Sequence, residues 1–136
     1  MKEYKRSIQY YETDKMGITH HSNYVRMMEE ARIDYFKQVN MPYDRLEAMG
    51  IISPVIGINC KYRRATTFPD ELTIYTKVSE YNSAKLVMNY VFKNKNNEVV
   101  FEANSEHCFL DSNNKLVRMK RDYPEFDEEL KKLIEE

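Results

Sequence analysis

The chain has little of what usually divides or cross-links a protein: its 136 residues include 3 glycines, 4 prolines, 2 cysteines and no tryptophan. No repeat, low-complexity stretch or linker-like segment interrupts it, so one domain over residues 1–136 is expected. Cys60 and Cys108 lie in apolar-patterned runs without a CxxC spacing. Two buried, reduced thiols are therefore expected, and neither a disulfide nor a zinc site. Net charge is also lacking: 21 basic and 22 acidic residues leave −1, which removes the electrostatic argument for general nucleic-acid binding. No run approaches the roughly 18 apolar residues of a membrane span. The opening Met1-Lys2-Glu3-Tyr4-Lys5-Arg6 has no apolar signal segment. A cytoplasmic protein without a membrane partner is expected.

What is present is periodicity. Residues 3–11 read as a strand, and 13–22 break into a polar loop with Gly17 and two adjacent histidines. From Asn23 the apolar spacing becomes helical. Tyr24, Met27, Met28, Ala31, Tyr35, Phe36 and Val39 trace one face, with Arg26, Glu30, Arg32 and Lys37 largely off it and Ser22 as N-cap. A short helix is expected over 42–49, opened by Pro42 and closed by Gly50. Strands follow over 52–64, 72–81, 85–95 and 99–111, read as an antiparallel meander. Alternation is clear in Leu72, Ile74, Thr76, Val78 and in Leu86, Met88, Tyr90, Phe92, the pattern of a sheet with one packed face. The long helix from Asn23 is the available cover, giving an α+β fold in which a curved antiparallel sheet wraps a long central helix. A last helix, Pro124 to about Glu135, offers Phe126, Leu130, Leu133 and Ile134 as its buried stripe.

The loop before the long helix carries the chemistry. Its residues run Tyr11-Glu12-Thr13-Asp14-Lys15-Met16-Gly17-Ile18-Thr19-His20-His21-Ser22-Asn23-Tyr24, followed by Glu29, Ala31 and Arg32. An aspartate, a glycine three residues on, a polar or aromatic residue seven on and a tyrosine ten on make a pattern that Asp14, Gly17, His21 and Tyr24 meet. In this the chain resembles the hydroxybenzoyl-CoA thioesterase-like branch of the hotdog superfamily. The likeness runs from about Tyr4 to Leu116 and includes Tyr62 to Ala65 and Asp70 to Leu72. Two positions depart from it: His20 stands where an aromatic residue is common, and Arg64 where a proline often precedes Ala65.

The resemblance implies an acyl-CoA thioesterase needing no metal and no cofactor, acting on acyl-CoA or an acyl carrier protein thioester. It also implies a homodimer or homotetramer with the site between protomers. A thioester carbonyl gains negative charge when attacked, and a helix N-terminus offers unpaired N–H groups and a favourable dipole there. The amide of His21 stands at that place. Asp14 is the candidate nucleophile or general base, the loop having no other aspartate, and the His21 imidazole suits proton transfer near neutral pH. Gly17 permits the tight loop.

Tyr24, His20 and Glu29 are candidate substrate contacts. Tyr24 serves equally as a packing residue, and Glu29 as a structural partner of Arg32 or of nearby backbone. His107 reads as a satisfied core histidine. Arg63, Arg64, Lys120 and Arg121 have the charge to meet phosphates, but no coenzyme A contact is assigned. Two further readings stay open: a hotdog hydratase or dehydratase acting on the acyl chain, and a non-catalytic acyl-CoA-binding protein.

Overall fold

The computed structural model describes residues 1–134. Five strands form one antiparallel sheet: β1 (Lys2–Ser7), β2 (Val55–Tyr62), β3 (Glu71–Tyr81), β4 (Lys85–Lys93) and β5 (Val99–Cys108), in spatial order β1-β3-β4-β5-β2. The helices are α1 (Ser22–Gln38), α2 (Tyr43–Ala48), α3 (Met119–Asp122) and α4 (Pro124–Ile134). The expected α+β arrangement, a curved sheet around the long helix α1, is the one observed.

Side-chain alternation sets the packed face. Leu72, Ile74, Thr76 and Val78 of β3 and Leu86, Met88, Tyr90 and Phe92 of β4 are all buried. The α1 stripe of Tyr24, Met27, Met28, Ala31, Tyr35 and Phe36 joins them in one core. Tyr24 stacks on Phe101 with ring centroids 4.7 Å apart and reaches Phe92 at 5.9 Å. Each such large apolar side chain contributes roughly 1.5–3 kcal/mol when fully buried. Helix α4 adds Phe126, Leu130 and Leu133, and is tied to β3 by the Tyr81 hydroxyl donating to buried Asp127 at 2.5 Å.

The sheet is not a simple meander. Hairpins join β3 to β4 and β4 to β5, but β1 occupies the free edge of β3. Only the far edge of β5 then remains for β2. Local chemistry shortens the expected strands. The first ends at Ser7 because Tyr10–Glu12 forms a 3₁₀ turn, with the Glu12 carboxylate accepting the Gln9 N–H at 2.7 Å. The second starts at Val55, after Pro54, which has no N–H to donate, and Ile52 pairs with Leu110 only as an isolated bridge. β4 stops at Lys93, where the Asn94 side chain accepts the N–H groups of Asn96 and Glu98. β5 stops at Cys108, with Leu110 bridging to Ile52 and Leu116.

Other expectations are corrected by burial. Arg32, placed off the apolar face, is buried and donates from Nε to the Tyr43 hydroxyl at 2.7 Å and from Nη1 to Tyr90 at 3.3 Å. Its long stem lets a charged residue share the core face while the head finds hydroxyls. Ile134 is exposed at the end of the described part of α4, and Glu135 lies outside the described residues. Cys60 and Cys108 are free, and half-buried rather than buried. Pro42 is the N-cap of α2 rather than its first helical residue, and Gly50 closes that helix at φ +76°.

Candidate active site

The loop between the 3₁₀ turn and α1 is itself a small hairpin. His20 N–H donates to Glu12 O at 2.8 Å, Thr13 bridges Thr19, and Asp14 N–H donates to Ile18 O at 2.9 Å. At the tip, Gly17 N–H returns to Asp14 O at 2.9 Å, and the Asp14 carboxylate accepts Met16 N–H at 2.8 Å. The chain leaves this turn through Gly17 at φ +77°, a region costly to residues with a Cβ. The spacing of Asp14 and Gly17 is thus that of a tight turn with a glycine exit.

This hairpin is anchored on three sides. Toward β3, Thr19 N–H donates to Thr66 O at 2.8 Å, the Thr67 hydroxyl to Gly17 O at 2.6 Å, and Ile18 bridges Thr67. The Thr66 hydroxyl lies 2.6 Å from the Thr19 hydroxyl and 2.8 Å from that of Tyr24, all three residues buried. Toward α1, Asn23 Nδ2 donates to Glu12 O at 2.9 Å. Toward β1, the buried Glu12 carboxylate takes both terminal nitrogens of Arg6, one of them at 2.6 Å. Arg6 also donates from Nε to Glu30 at 2.9 Å, and the Tyr4 hydroxyl reaches the same carboxylate at 3.1 Å. Burial pushes the Glu12 carboxyl upward, but the Arg6 bonds and the Gln9 N–H outweigh it and hold the group below its ordinary range.

Asp14 sits half-buried at the hairpin tip and His21 exposed at its base, where α1 begins. Among the described residues the Asp14 carboxylate accepts only the Met16 N–H. The His21 ring instead stacks on His20 at 4.3 Å and meets Tyr62 edge-on at 6.5 Å. Helix α1 starts one residue earlier than expected. His21 already has helical φ −54° and ψ −31°, and Ser22 lies inside the helix rather than capping it.

His21 is the N-cap and its side chain makes no capping bond, while the ring of His20 meets the first helical residue. Its Nδ1 accepts the Ser22 N–H at 3.3 Å and lies 2.9 Å from the Ser22 hydroxyl. As the acceptor of a backbone N–H, Nδ1 carries a lone pair, so the neutral ring has its proton on Nε2. The turn's own bonds run from Asn23 N–H to His20 O at 3.0 Å and from Tyr24 N–H to His21 O at 3.3 Å, leaving the His21 N–H at the helix end uncommitted among the described residues.

Tyr24 is buried with its hydroxyl on Thr66, and burial raises its phenol. Glu29 is exposed two turns along α1, and Arg32 pairs with tyrosine hydroxyls, not with it. Sequence reasoning overlooked Tyr62, which is half-exposed on β2 and donates to His21 O at 3.2 Å. It also overlooked Asn23, Thr66 and the Arg6–Glu12 pair. Of these only Tyr62 left a signal, standing at the head of the Tyr62 to Ala65 segment that carries part of the family likeness.

Arg63, Arg64 and Arg121 are exposed and paired with Glu102, Glu98 and Asp122. His107 is the satisfied core histidine expected, with Nε2 2.7 Å from the Ser105 hydroxyl. It lines a cavity with Arg32, Tyr43 and Ser53 that lies under α2, away from the hairpin. Among the described residues no three His, Cys, Asp or Glu side chains are grouped to hold a metal ion. No helix among them is long and apolar enough to cross a membrane.

A curved sheet around one long helix, with a polar hairpin delivering the chain to that helix's first turn, defines a hotdog-fold protein. The chain belongs to the thioesterase-like superfamily, whose family model matches residues 8–134, and it is a thioester hydrolase of the hydroxybenzoyl-CoA thioesterase-like branch. It is 31% identical over 120 residues to a Bacillus subtilis protein named "Putative acyl-CoA thioesterase YneP", covering 88% of this chain and 87% of that one. The crystal structure of a DHNA-CoA thioesterase from Staphylococcus aureus superposes with a TM-score of 0.90 at 30% identity, over 96% of this chain and 88% of the other. A hypothetical protein from Aquifex aeolicus, also a crystal structure, does so with a TM-score of 0.85 at 30% identity, over 92% and 98%.

Proposed function

We propose that the chain hydrolyses acyl-CoA thioesters to free acid and coenzyme A, as a cytoplasmic single-domain enzyme over residues 1–136. The observation that carries the reading is the junction of hairpin and helix. A carboxylate at the turn and an uncommitted N–H at the start of α1 belong to one braced unit. Asp14 attacks the carbonyl or activates the water that does so, and the His21 N–H receives the charge that develops on the carbonyl oxygen. The thiolate is a good leaving group. The exposed His21 imidazole is placed to exchange protons with solvent and substrate. Gly17 shapes the turn, while His20 and Tyr24 hold the helix end against which the acyl group lies. Glu29, exposed on α1 about two turns on, is open to substrate or to a second chain.

The reading includes a homodimer, formed through β2 and doubled in a tetramer. This strand ends the sheet with Val55, Ile56, Ile58 and Tyr62 exposed, an unprotected apolar edge. Light scattering is expected to give at least twice the 16.4 kDa chain mass, and Ile58→Lys to lower it.

The deciding experiment is thiol release from aromatic and C2 to C16 acyl-CoAs, with acyl carrier protein thioesters in parallel, for wild type and Asp14→Asn. Turnover in the wild type and its loss in the variant are expected. Turnover that Asp14→Asn leaves intact would remove Asp14 from the mechanism. Saturable binding without thiol release would favour a binding protein, and a change in enoyl absorbance without thiol would favour a hydratase.

A further inference from the structure

The peptide between His20 and His21 carries the proposed oxyanion donor at one end and a carbonyl at the other. In a trans peptide the two point in opposite directions, so whatever fixes His20 O fixes the His21 N–H. His20 O accepts the Asn23 N–H at 3.0 Å, and Asn23 Nδ2 approaches it at 3.4 Å. The stronger bond of Asn23 Nδ2, 2.9 Å, goes to Glu12 O, which also takes the His20 N–H at 2.8 Å. One largely buried side chain amide therefore spans the base of the hairpin and the first turn of α1. Donors on a peptide carbonyl also polarise its N–H, strengthening it as a donor.

We propose that Asn23 is the positioning residue of this site: its side-chain amide holds the Glu12 and His20 carbonyls together and so aims the His21 N–H out of the helix end at the substrate carbonyl. The inference rests on the proposed thioesterase reading and adds a residue that touches no substrate. Among the described residues no other side chain bonds both carbonyls. A serine or threonine here could cap the helix but could not span to Glu12, and an aspartate would present an acceptor where two carbonyls need a donor.

Three variants separate positioning from general weakening: Asn23→Ala, Asn23→Asp and, as a control for lost stability, Leu130→Ala in α4. The ¹⁵N resonance of His21, which responds to bonding at the His20 carbonyl, is read without substrate, and kcat and KM are read on the best thioester. Both Asn23 variants are expected to move that resonance upfield. They are also expected to lower kcat by roughly 10–100-fold, less than the ~10²–10³-fold for outright loss of a donor, with KM changed little. Leu130→Ala is expected to melt earlier while leaving both readouts in place.

An unmoved His21 resonance would overturn the inference. So would a kcat retained in Asn23→Ala when Asp14→Asn is inactive, which would leave the thioesterase reading standing. A wild-type chain inactive on every thioester would overturn the reading and this inference together.

Discussion

The guanidinium of Arg6 and the carboxylate of Glu12 meet end-on beneath the hairpin, each nitrogen of the fork on its own oxygen. Glu12 is 3% exposed, so its charge has been taken out of water and is tolerable only with this partner. Glu12→Gln leaves Arg6 with Glu30 alone. Removing one partner of a buried pair costs about 3–5 kcal/mol, and the remaining carboxylate offsets part of that. A loss of about 2–3 kcal/mol in chemical denaturation is expected, and a change below 0.5 would place the pair among ornamental surface bridges.

Gly17 tests the turn itself. No atom lies within 4 Å of where a Cβ would sit, so only the backbone resists substitution. Gly17→Ala is expected to cost about 1 kcal/mol at φ +77°, and Gly17→Asn about half that, since asparagine tolerates the left-handed region. Equal losses from the two variants would mean the turn has rearranged.

His107 makes stability depend on pH. Burial and the nearby Arg32 charge lower its pKa from 6.5 to about 4, against a smaller upward pull from the backbone of Ser53. The unfolded chain takes up a proton as pH falls through 6.5, while the folded chain waits until about 4. The contribution is complete above pH 6.5 and is lost progressively down to pH 4, about 3 kcal/mol in all. Denaturation midpoints across that window are expected to fall more steeply for wild type than for His107→Gln. Parallel curves would show that His107 does not titrate in this way.

Thr76 is a place where the core is improvable. Its hydroxyl is buried on β3 without a hydrogen-bond partner among the described residues. Thr76→Val keeps the shape and removes the unmet group, so a gain of about 1 kcal/mol is expected in thermal or chemical denaturation. Destabilisation would reveal a partner, such as a bound water, for that hydroxyl.

Legibility followed locality. The strands β3 and β4 and the helix α1 were readable because alternation and 3.6-residue spacing are local patterns, and Leu72 to Val78 obey theirs throughout. Which edge β2 takes was not readable, because it depends on β1 having filled the edge of β3. Arg32 misled because a charge normally marks the wet face, whereas here two distant tyrosines accept it. At the candidate site, the turn glycine and its aspartate follow from spacing. The Ser22 cap did not hold, since the hairpin closes at His20 and brings the chain into the helix a residue early. Thr66 reaches the loop from 47 residues along the chain, Asn23 through the Glu12 carbonyl and Arg6 from the neighbouring strand, and none of these contacts leaves a trace in composition.

The triple anchoring of the hairpin divides the molecule into parts that can vary separately. Asp14 and the start of α1 are tied to the sheet through these bonds, so substrate binding need not spend free energy ordering them. The exposed side chains of Val55, Ile56 and Ile58, on a strand paired to β5, take no part in that bracing. Changes there can alter how a second chain is met while the proposed reacting groups keep their places, so that assembly and chemistry are free to vary independently.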